Sequence, residues 1–153
     1  DKLGYIELRP APLVFGTVID AWAKADDRPE SAEHAESLLD RMVDLFLHKK
    51  SRNKREMISN IAYNLVIDAW SRRSGKWSAK GDGTTDTAER AENILRRLVS
   101  NYHMTNNSLL RPDVISYTGV MKAYVHHPNG GKKVLELLSE MNDEYRGGNA
   151  KAR

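Results

Sequence analysis

The strongest constraint on this chain is that one ten-residue segment occurs three times. Residues 13–22 are matched by 61–70 and again by 115–124, at offsets of 48 and 54 residues. A second segment follows each copy, at 32–39, at 88–95 and, in a looser version, at 131–138. Alternating segments of this kind predict a row of similar units, because each unit is too apolar on one face to stand alone and neighbours bury that face.

Both segments have the periodicity of an amphipathic helix, with apolar side chains at i, i+3, i+4 and i+7. In the first segment these are Phe15, Val18, Ile19 and Trp22, then Tyr63, Val66, Ile67 and Trp70, then Tyr117, Val120, Met121 and Tyr124. In the second they are Ala35, Leu38, Leu39 and Met42, then Ala91, Ile94, Leu95 and Leu98. Ala21, Ala69 and Ala123 hold one equivalent place, where a small side chain lets a neighbouring helix come close. The pattern predicts an all-α fold of helix–turn–helix repeats with the aromatic stripe in its core.

The repeats also set the expected boundaries. Residues 1–10 are the end of a preceding repeat or a linker, 11–58, 59–112 and 113–146 are the three repeats, and 147–153 form a frayed tail. Stretches rich in Gly, Ser, Asn and Lys predict inserted surface loops at 48–55, 74–83 and 102–110. Trp77 in the second of these loops is left open as a contact for a neighbouring repeat, a partner or a base.

Composition narrows the function. The 153 residues carry a formal net charge of +3 and no cysteine, which excludes a disulfide scaffold, a thiolate zinc site and a cysteine nucleophile. No apolar run approaches the ~20 residues of a membrane span. No metal site, cofactor site, nucleophile–base pair or phosphate cradle stands out, so we expect no enzymatic activity, small-molecule substrate or membrane partner. The chain starts at Asp1 and is interpreted as a piece of a longer protein, whose catalytic domain, if any, lies elsewhere.

The start of each first helix resembles the pentatricopeptide repeat. Residues 111–124, with Pro112-Asp113-Val114 followed by Tyr117, are similar to the Pro-Asp-Val-x-x-Tyr-Asn opening of that family. Ala62-Tyr63-Asn64 is a second match, and 8–12 echo 110–114. The resemblance covers residues 8–145 and implies a right-handed α-solenoid, although these repeats are longer than those of the family.

The resemblance further implies single-stranded RNA binding, one base per repeat, read by two or three side chains. Carried over by position, the base-recognition residues are Gly16, Asn64 and Thr118 after the aromatic, and Ser59 and Asp113 at the close of a repeat. The base clamp is Leu13, Ile61 and Ile115. The Asn64–Asp113 pair implies a preference for uracil. The family also implies RNA processing, stability or translation in a mitochondrion or plastid.

A polar row lies opposite the apolar stripe, because Asn64, Asp68 and Arg72 stand at i, i+4 and i+8. The expected phosphate contacts are Lys24, Arg72 and His126 on these rows and the basic run Lys49, Lys50, Arg52, Lys54 and Arg55. Plainer interpretations stay open: Asp20–Lys24 and Asp68–Arg72 are ordinary helical ion pairs, and Ser59 and Asp113 are good helix N-caps. The acidic groove residues Asp20 and Asp68 favour an alternative, a tetratricopeptide-like scaffold that binds a peptide partner.

Overall fold

The computed structural model describes residues 11–25, 30–48, 57–77 and 87–150, with the backbone alone at 75–77 and 148–150. These residues form α1 (Pro12–Lys24), α2 (Ser31–Phe46), α3 (Asn60–Trp77), α4 (Thr87–Thr105), α5 (Val114–Tyr124) and α6 (Gly130–Ala150), with a short 3-10 helix at Ser108–Leu110. The described residues contain no strand. The prediction of an all-α fold is therefore confirmed for the residues that the structure describes.

Local sequence explains where α5 begins. Asp113 is extended and caps the helix, because its carboxylate accepts a hydrogen bond from the backbone N–H of Ser116 at 3.0 Å. The Ser116 hydroxyl in turn accepts from the backbone N–H of Asp113 at 3.2 Å. This reciprocal capping box satisfies two donors that helix geometry leaves free. Asp113, which belongs to the sequence that resembles the repeat motif, thus fixes the first turn of α5 together with Ser116.

The helices pack in an order that follows the chain. Helix α3 contacts α1, α2, α4 and α5, and α5 contacts α3, α4 and α6. The stripe of α3, Tyr63, Val66, Ile67 and Trp70, is completely buried, as predicted. In α5 the stripe is also buried, except that Met121 is half-buried. A single core therefore runs through the helix pairs, with α3 at its centre.

The first copy of the stripe departs from the prediction. Phe15 and Ile19 are buried and Phe15 packs edge-on against Phe46, but Trp22 is half-buried and Val18 is exposed. The reason is positional: no described helix covers the side of α1 on which Val18 lies, whereas the equivalent sides of α3 and α5 are covered by the preceding helix pair.

A recurring set of three side chains joins consecutive helix pairs. The indole Nε1 of Trp70 donates to Glu36 of α2 at 2.9 Å, and the Arg90 guanidinium of α4 lies 4.8 Å from a Trp70 ring centroid and 3.8 Å from Glu36. One unit later, the Tyr124 hydroxyl donates to Glu92 of α4, and Lys133 of α6 lies 3.3 Å from Glu92 and 5.9 Å from the Tyr124 ring. We call this set the carboxylate–aromatic–cation triplet.

The predicted loops at 74–83 and 102–110 are wrong in part. Helix α3 continues through 74–77, so Trp77 is helical, and α4 continues to Thr105. A single Gly75 costs a helix only about 1 kcal/mol, and Ser74 is buried with its hydroxyl bonded to the Ser71 carbonyl at 3.1 Å. Helix α4 ends where Asn106 adopts φ 52°, a left-handed conformation typical of asparagine after a helix. Helix α6 likewise continues to Ala150, past the boundary expected at 146.

Candidate nucleic-acid interface

The two side chains that the resemblance assigns to one base lie together in the structure. Asn64 projects from α3 and Asp113 from the start of α5, 49 residues later, and the Asn64 amide nitrogen donates to the Asp113 carboxylate at 3.2 Å. Helices α3 and α5 place them side by side because Gly119 of α5 comes so close to Ile67 of α3 that a Cβ at Gly119 would stand 2.6 Å from the Ile67 Cγ2. The absence of a side chain at Gly119 therefore allows the two helices to come close next to this pair.

Two further residues hold this pair, and the sequence reasoning missed both. The Asn60 amide nitrogen donates to the second oxygen of Asp113 at 3.0 Å and to the Arg111 carbonyl at 2.8 Å. The Ser116 hydroxyl lies 2.7 Å from the Asn64 amide oxygen. The available signals were Asn60 one helical turn before Asn64, and Ser116 three residues after Asp113, the spacing of a capping box.

These contacts fix which way the Asn64 amide points. A carboxylate only accepts hydrogen bonds, so the amide nitrogen must face Asp113, and the amide oxygen faces the Ser116 hydroxyl. One N–H and one lone pair of the Asn64 amide then remain for a ligand. The site therefore presents a donor beside an acceptor in a fixed order, a prerequisite for recognising the edge of a base.

A groove of about 570 Å³ runs between α3 and α5 at this place. Among its walls are five of the residues that the resemblance singles out: Ile61, Asn64, Asp113, Ile115 and Thr118. Ile61 and Ile115 are unusually open for large apolar side chains, at 65% and 66% exposed. A flat ring bound in the groove would cover these apolar surfaces while its edge meets Asn64.

The predicted base-recognition residues of the other repeats offer fewer hydrogen-bonding groups to a ligand than Asn64 does. The Thr118 hydroxyl donates to the Val114 carbonyl of its own helix at 2.6 Å, so it offers a ligand only its acceptor. Gly16 provides no side chain, and nothing lies within 4 Å of where its Cβ would stand. Leu13, the clamp of α1, is 70% exposed. Ser59 directly precedes α3 and lines a neighbouring groove of about 540 Å³, which shares Ile61, Asp113 and Val114 with the first.

The expected phosphate contacts differ in their surroundings. Lys24 is paired with Asp20 at 2.6 Å, and Arg72 is paired with Asp68. Exposed pairs of this kind are worth at most about 1 kcal/mol, so a phosphate can compete for the cation. His126 is exposed but lies in the turn after α5, because that helix ends at Tyr124; its placement on the helical row was wrong. The run Lys49, Lys50, Arg52, Lys54 and Arg55 lies outside the described residues.

Lys122 is a cation of the same groove that the predicted set of phosphate contacts did not include. It lies on α5, is exposed, and shares the groove wall with Asn64 and Thr118. It stands one helical turn after Thr118, which is the spacing that places both side chains on one face. The basic residue that lines the groove beside Asn64 and Asp113 is thus Lys122 and not His126.

The described residues form neither a cluster of metal ligands nor a membrane span. In the part of the chain that the structure describes, no group of three His, Asp or Glu side chains is placed to hold a metal ion. No helix in these ranges is both long and apolar enough to cross a membrane. Comparisons with protein-family models, curated proteins and solved structures gave no match to this chain.

Proposed function

We propose that this chain is a right-handed α-solenoid of three pentatricopeptide-like repeats that binds single-stranded RNA. The threefold sequence repetition supports this architecture, and so does the packing of α3 on α1 and of α5 on α3. The first helices α1, α3 and α5 form the face that contacts RNA, and the predicted clamp residues are exposed on all three of them. By the same resemblance, the RNA is one processed, stabilised or translated in a mitochondrion or plastid.

The observation that carries the proposal is the hydrogen bond between Asn64 and Asp113. The repeat motif singles out these two residues, which are 49 positions apart in the sequence. Both line one groove, and their contacts fix the orientation of the Asn64 amide. Uracil presents a donor and an acceptor side by side on its Watson–Crick edge, which matches the free N–H and lone pair of Asn64. The second repeat therefore prefers uracil, with Asp113 orienting the amide.

The remaining contacts provide affinity without sequence preference. Ile61 and Ile115 cover the faces of the base, and Lys122 and Arg72 neutralise phosphates beside it. Three repeats contact about three bases, so binding is weak and depends strongly on salt. Replacing the basic residues of 49–55 by Ala is expected to flatten the slope of log affinity against log salt, measured by fluorescence anisotropy with a short labelled RNA.

The base preference is tested with a series of short RNAs that differ at one position. The wild-type protein is expected to bind the RNA with uracil at that position best. Asn64→Thr is expected to shift the preference towards guanine, because the resemblance to the pentatricopeptide family implies that threonine at this place favours guanine. Asn93→Thr is the matched control, because Asn93 is an exposed asparagine on α4 away from the groove. Equal affinity for all four bases in every variant, with helix content intact by circular dichroism, would contradict the proposal.

A second candidate function rests on the acidic and apolar side chains of the same groove. Asp68 and Leu65 line it beside Ile61, and a basic, partly apolar peptide would also find complementary surfaces there. This is the tetratricopeptide-like alternative. Absence of RNA binding at low salt, together with binding of a Lys- and Leu-containing peptide that Asp68→Asn weakens, would favour it over RNA.

A further inference from the structure

One face of α1 is apolar, regular and exposed. Val14, Thr17, Val18 and Ala21 stand at i, i+3, i+4 and i+7, and all four are exposed. We call these four residues the outer face of α1. Val14 and Val18 are 52% and 40% exposed, although Phe15 and Ile19 on the adjacent side of the helix are buried. A stripe with this period is typical of a helix surface that packs against another helix.

The internal repetition shows what covers this face in the other two units. In α3 the equivalent residues are Ala62, Leu65, Val66 and Ala69, and in α5 they are Ser116, Gly119, Val120 and Ala123. Six of these eight are buried, and Leu65 and Gly119 are half-buried. On α5 the cover is α3, because Ser116 bonds to Asn64 and Gly119 lies against Ile67. The same helix face is thus covered by the preceding helix pair in both later units.

At α1, two members of the carboxylate–aromatic–cation triplet are present, the aromatic ring and the residue at the place of the cation. The Trp22 and His34 rings lie 4.5 Å apart. By alignment of the repeats, Trp22 is equivalent to Trp70 and Tyr124, and His34 is equivalent to Arg90 and Lys133. In both complete triplets the carboxylate comes from the second helix of the preceding unit, as Glu36 or Glu92. The position beside Trp22 therefore calls for a carboxylate from outside the helices α1 and α2.

We infer that the outer face of α1 binds a helix pair of this same repeat type, whose second helix carries a carboxylate that accepts a hydrogen bond from the Trp22 indole. The contact continues the α1–α3 and α3–α5 packing by one unit. It is independent of whether the groove binds RNA or peptide.

The second helix of the third unit argues against a second copy stacked end to end as the occupant. At the place of Glu36 and Glu92, the second helix of the third unit has Leu135, which is 69% exposed. A leucine side chain cannot accept a hydrogen bond from the indole N–H. A second copy would therefore bury Trp22 without completing the triplet, and the cost of an unsatisfied buried donor disfavours that arrangement.

The absence of cysteine from the whole chain allows a direct test by thiol labelling. In the protein as it is, Val18→Cys is expected to react rapidly with a maleimide, and Val66→Cys, its buried equivalent in α3, to react slowly. A second protein carries an added copy of residues 57–109 joined directly before Leu8, so that Leu8-Arg9-Pro10 reproduces the junction Leu110-Arg111-Pro112. There the added helix pair is expected to slow the labelling of Val18→Cys at least about tenfold, because reaction then requires local opening.

Two controls make the outcome specific. Leu45→Cys, exposed on α2, is expected to react equally in both proteins. Slow labelling of Val66→Cys, introduced only into the original α3 of the lengthened protein, verifies that its fold is intact. Glu92→Gln in the added copy alone is expected to restore part of the reactivity of Val18→Cys and to lower the melting temperature of the lengthened protein.

Three results would overturn the inference. Equally fast labelling of Val18→Cys with and without the added helix pair would show that the outer face does not bind it. Protection of the thiol of Val18→Cys in the original chain that grows with protein concentration would instead identify a second copy as the occupant. If an added copy with Glu92→Gln slows the labelling of Val18→Cys as much as the unmodified copy, and the melting temperature is unchanged, then no carboxylate is required.

Discussion

Gly16 and Gly119 form a matched pair for measuring how tightly α3 and α5 pack. Both are helical, and replacing either glycine by alanine removes a helix penalty of about 0.5–1 kcal/mol. Their surroundings differ, since a Cβ at Gly16 meets nothing within 4 Å, whereas a Cβ at Gly119 meets the Ile67 Cγ2 at 2.6 Å. Ile67 is buried and β-branched, so it has little freedom to move away.

The expected magnitudes follow from these terms. Gly16→Ala should raise the free energy of unfolding by about 0.5–1 kcal/mol. Gly119→Ala gains the same amount but also overpacks the contact, which typically costs about 1–3 kcal/mol. The two variants should therefore differ by about 1–3 kcal/mol, or several degrees in melting temperature, at about 2–4 °C per kcal/mol for a chain of this size.

Urea unfolding followed by circular dichroism measures both variants, with unchanged m-values showing that the comparison concerns stability alone. Gly119→Ala should also weaken discrimination between bases, because it moves α5 and Asp113 away from Asn64, while Gly16→Ala should leave it unchanged. Equal stabilisation by both alanines would refute the close approach of α3 and α5 from which the groove is derived.

The remaining predictions concern the core, the stability at acid pH, and position 16, where glycine provides no side chain to contact a base. Trp70→Ala should cost about 3–5 kcal/mol, as truncation of a large buried side chain does, measured by urea unfolding; normal stability with loss of RNA binding would place Trp70 on the binding face instead. Burial alone would raise the pKa of Glu92, but hydrogen bonds led by that from Tyr124 outweigh burial and hold this pKa below its ordinary 4.5. The stability it contributes is thus present above that value and lost as the pH falls below it, and Glu92→Gln should flatten the acid side of a plot of stability against pH. Gly16→Asn fits the open space on α1 and should add base discrimination at the first repeat, which the same RNA series detects at the neighbouring nucleotide; no change would show that position 16 does not face a base.

The helical spacing of apolar residues predicted the helices well, because it indicates which side chains must be buried. It predicted the buried stripe of α3 without error, but it could not say whether a neighbour is present, and Val18 is exposed for that reason. Composition predicts a loop at 74–83, but residues 74–77 are helical, because one glycine costs a helix little and Ser74 is buried. His126 was misplaced because the helical row was extended beyond Tyr124, where α5 ends.

The positions of Asn64 and Asp113 were predictable from the sequence, but the residues that hold this pair in place were not. Asn64 and Asp113 belong to a motif that can be recognised along the sequence, so their positions could be proposed before the fold was known. Asn60 and Ser116 act through contacts between helices, across 53 and 52 residues respectively. Such contacts depend on how α3 and α5 pack, and a single sequence carries no signal for that distance.

The charged links between the outer helices have a consequence for the shape of the array. Helices α2 and α4 are joined by Arg97–Asp40, and α4 and α6 by Arg96–Glu140. Both pairs are partly open to solvent, so salt screens them, whereas the apolar contacts between α1, α3 and α5 are not screened. In the proposed RNA-binding array, we therefore expect rising ionic strength to loosen the contacts among α2, α4 and α6 but not those among α1, α3 and α5, which would change the curvature of the array and the spacing of the bases it binds. The array would then respond to salt through its curvature as well as through its affinity for phosphate.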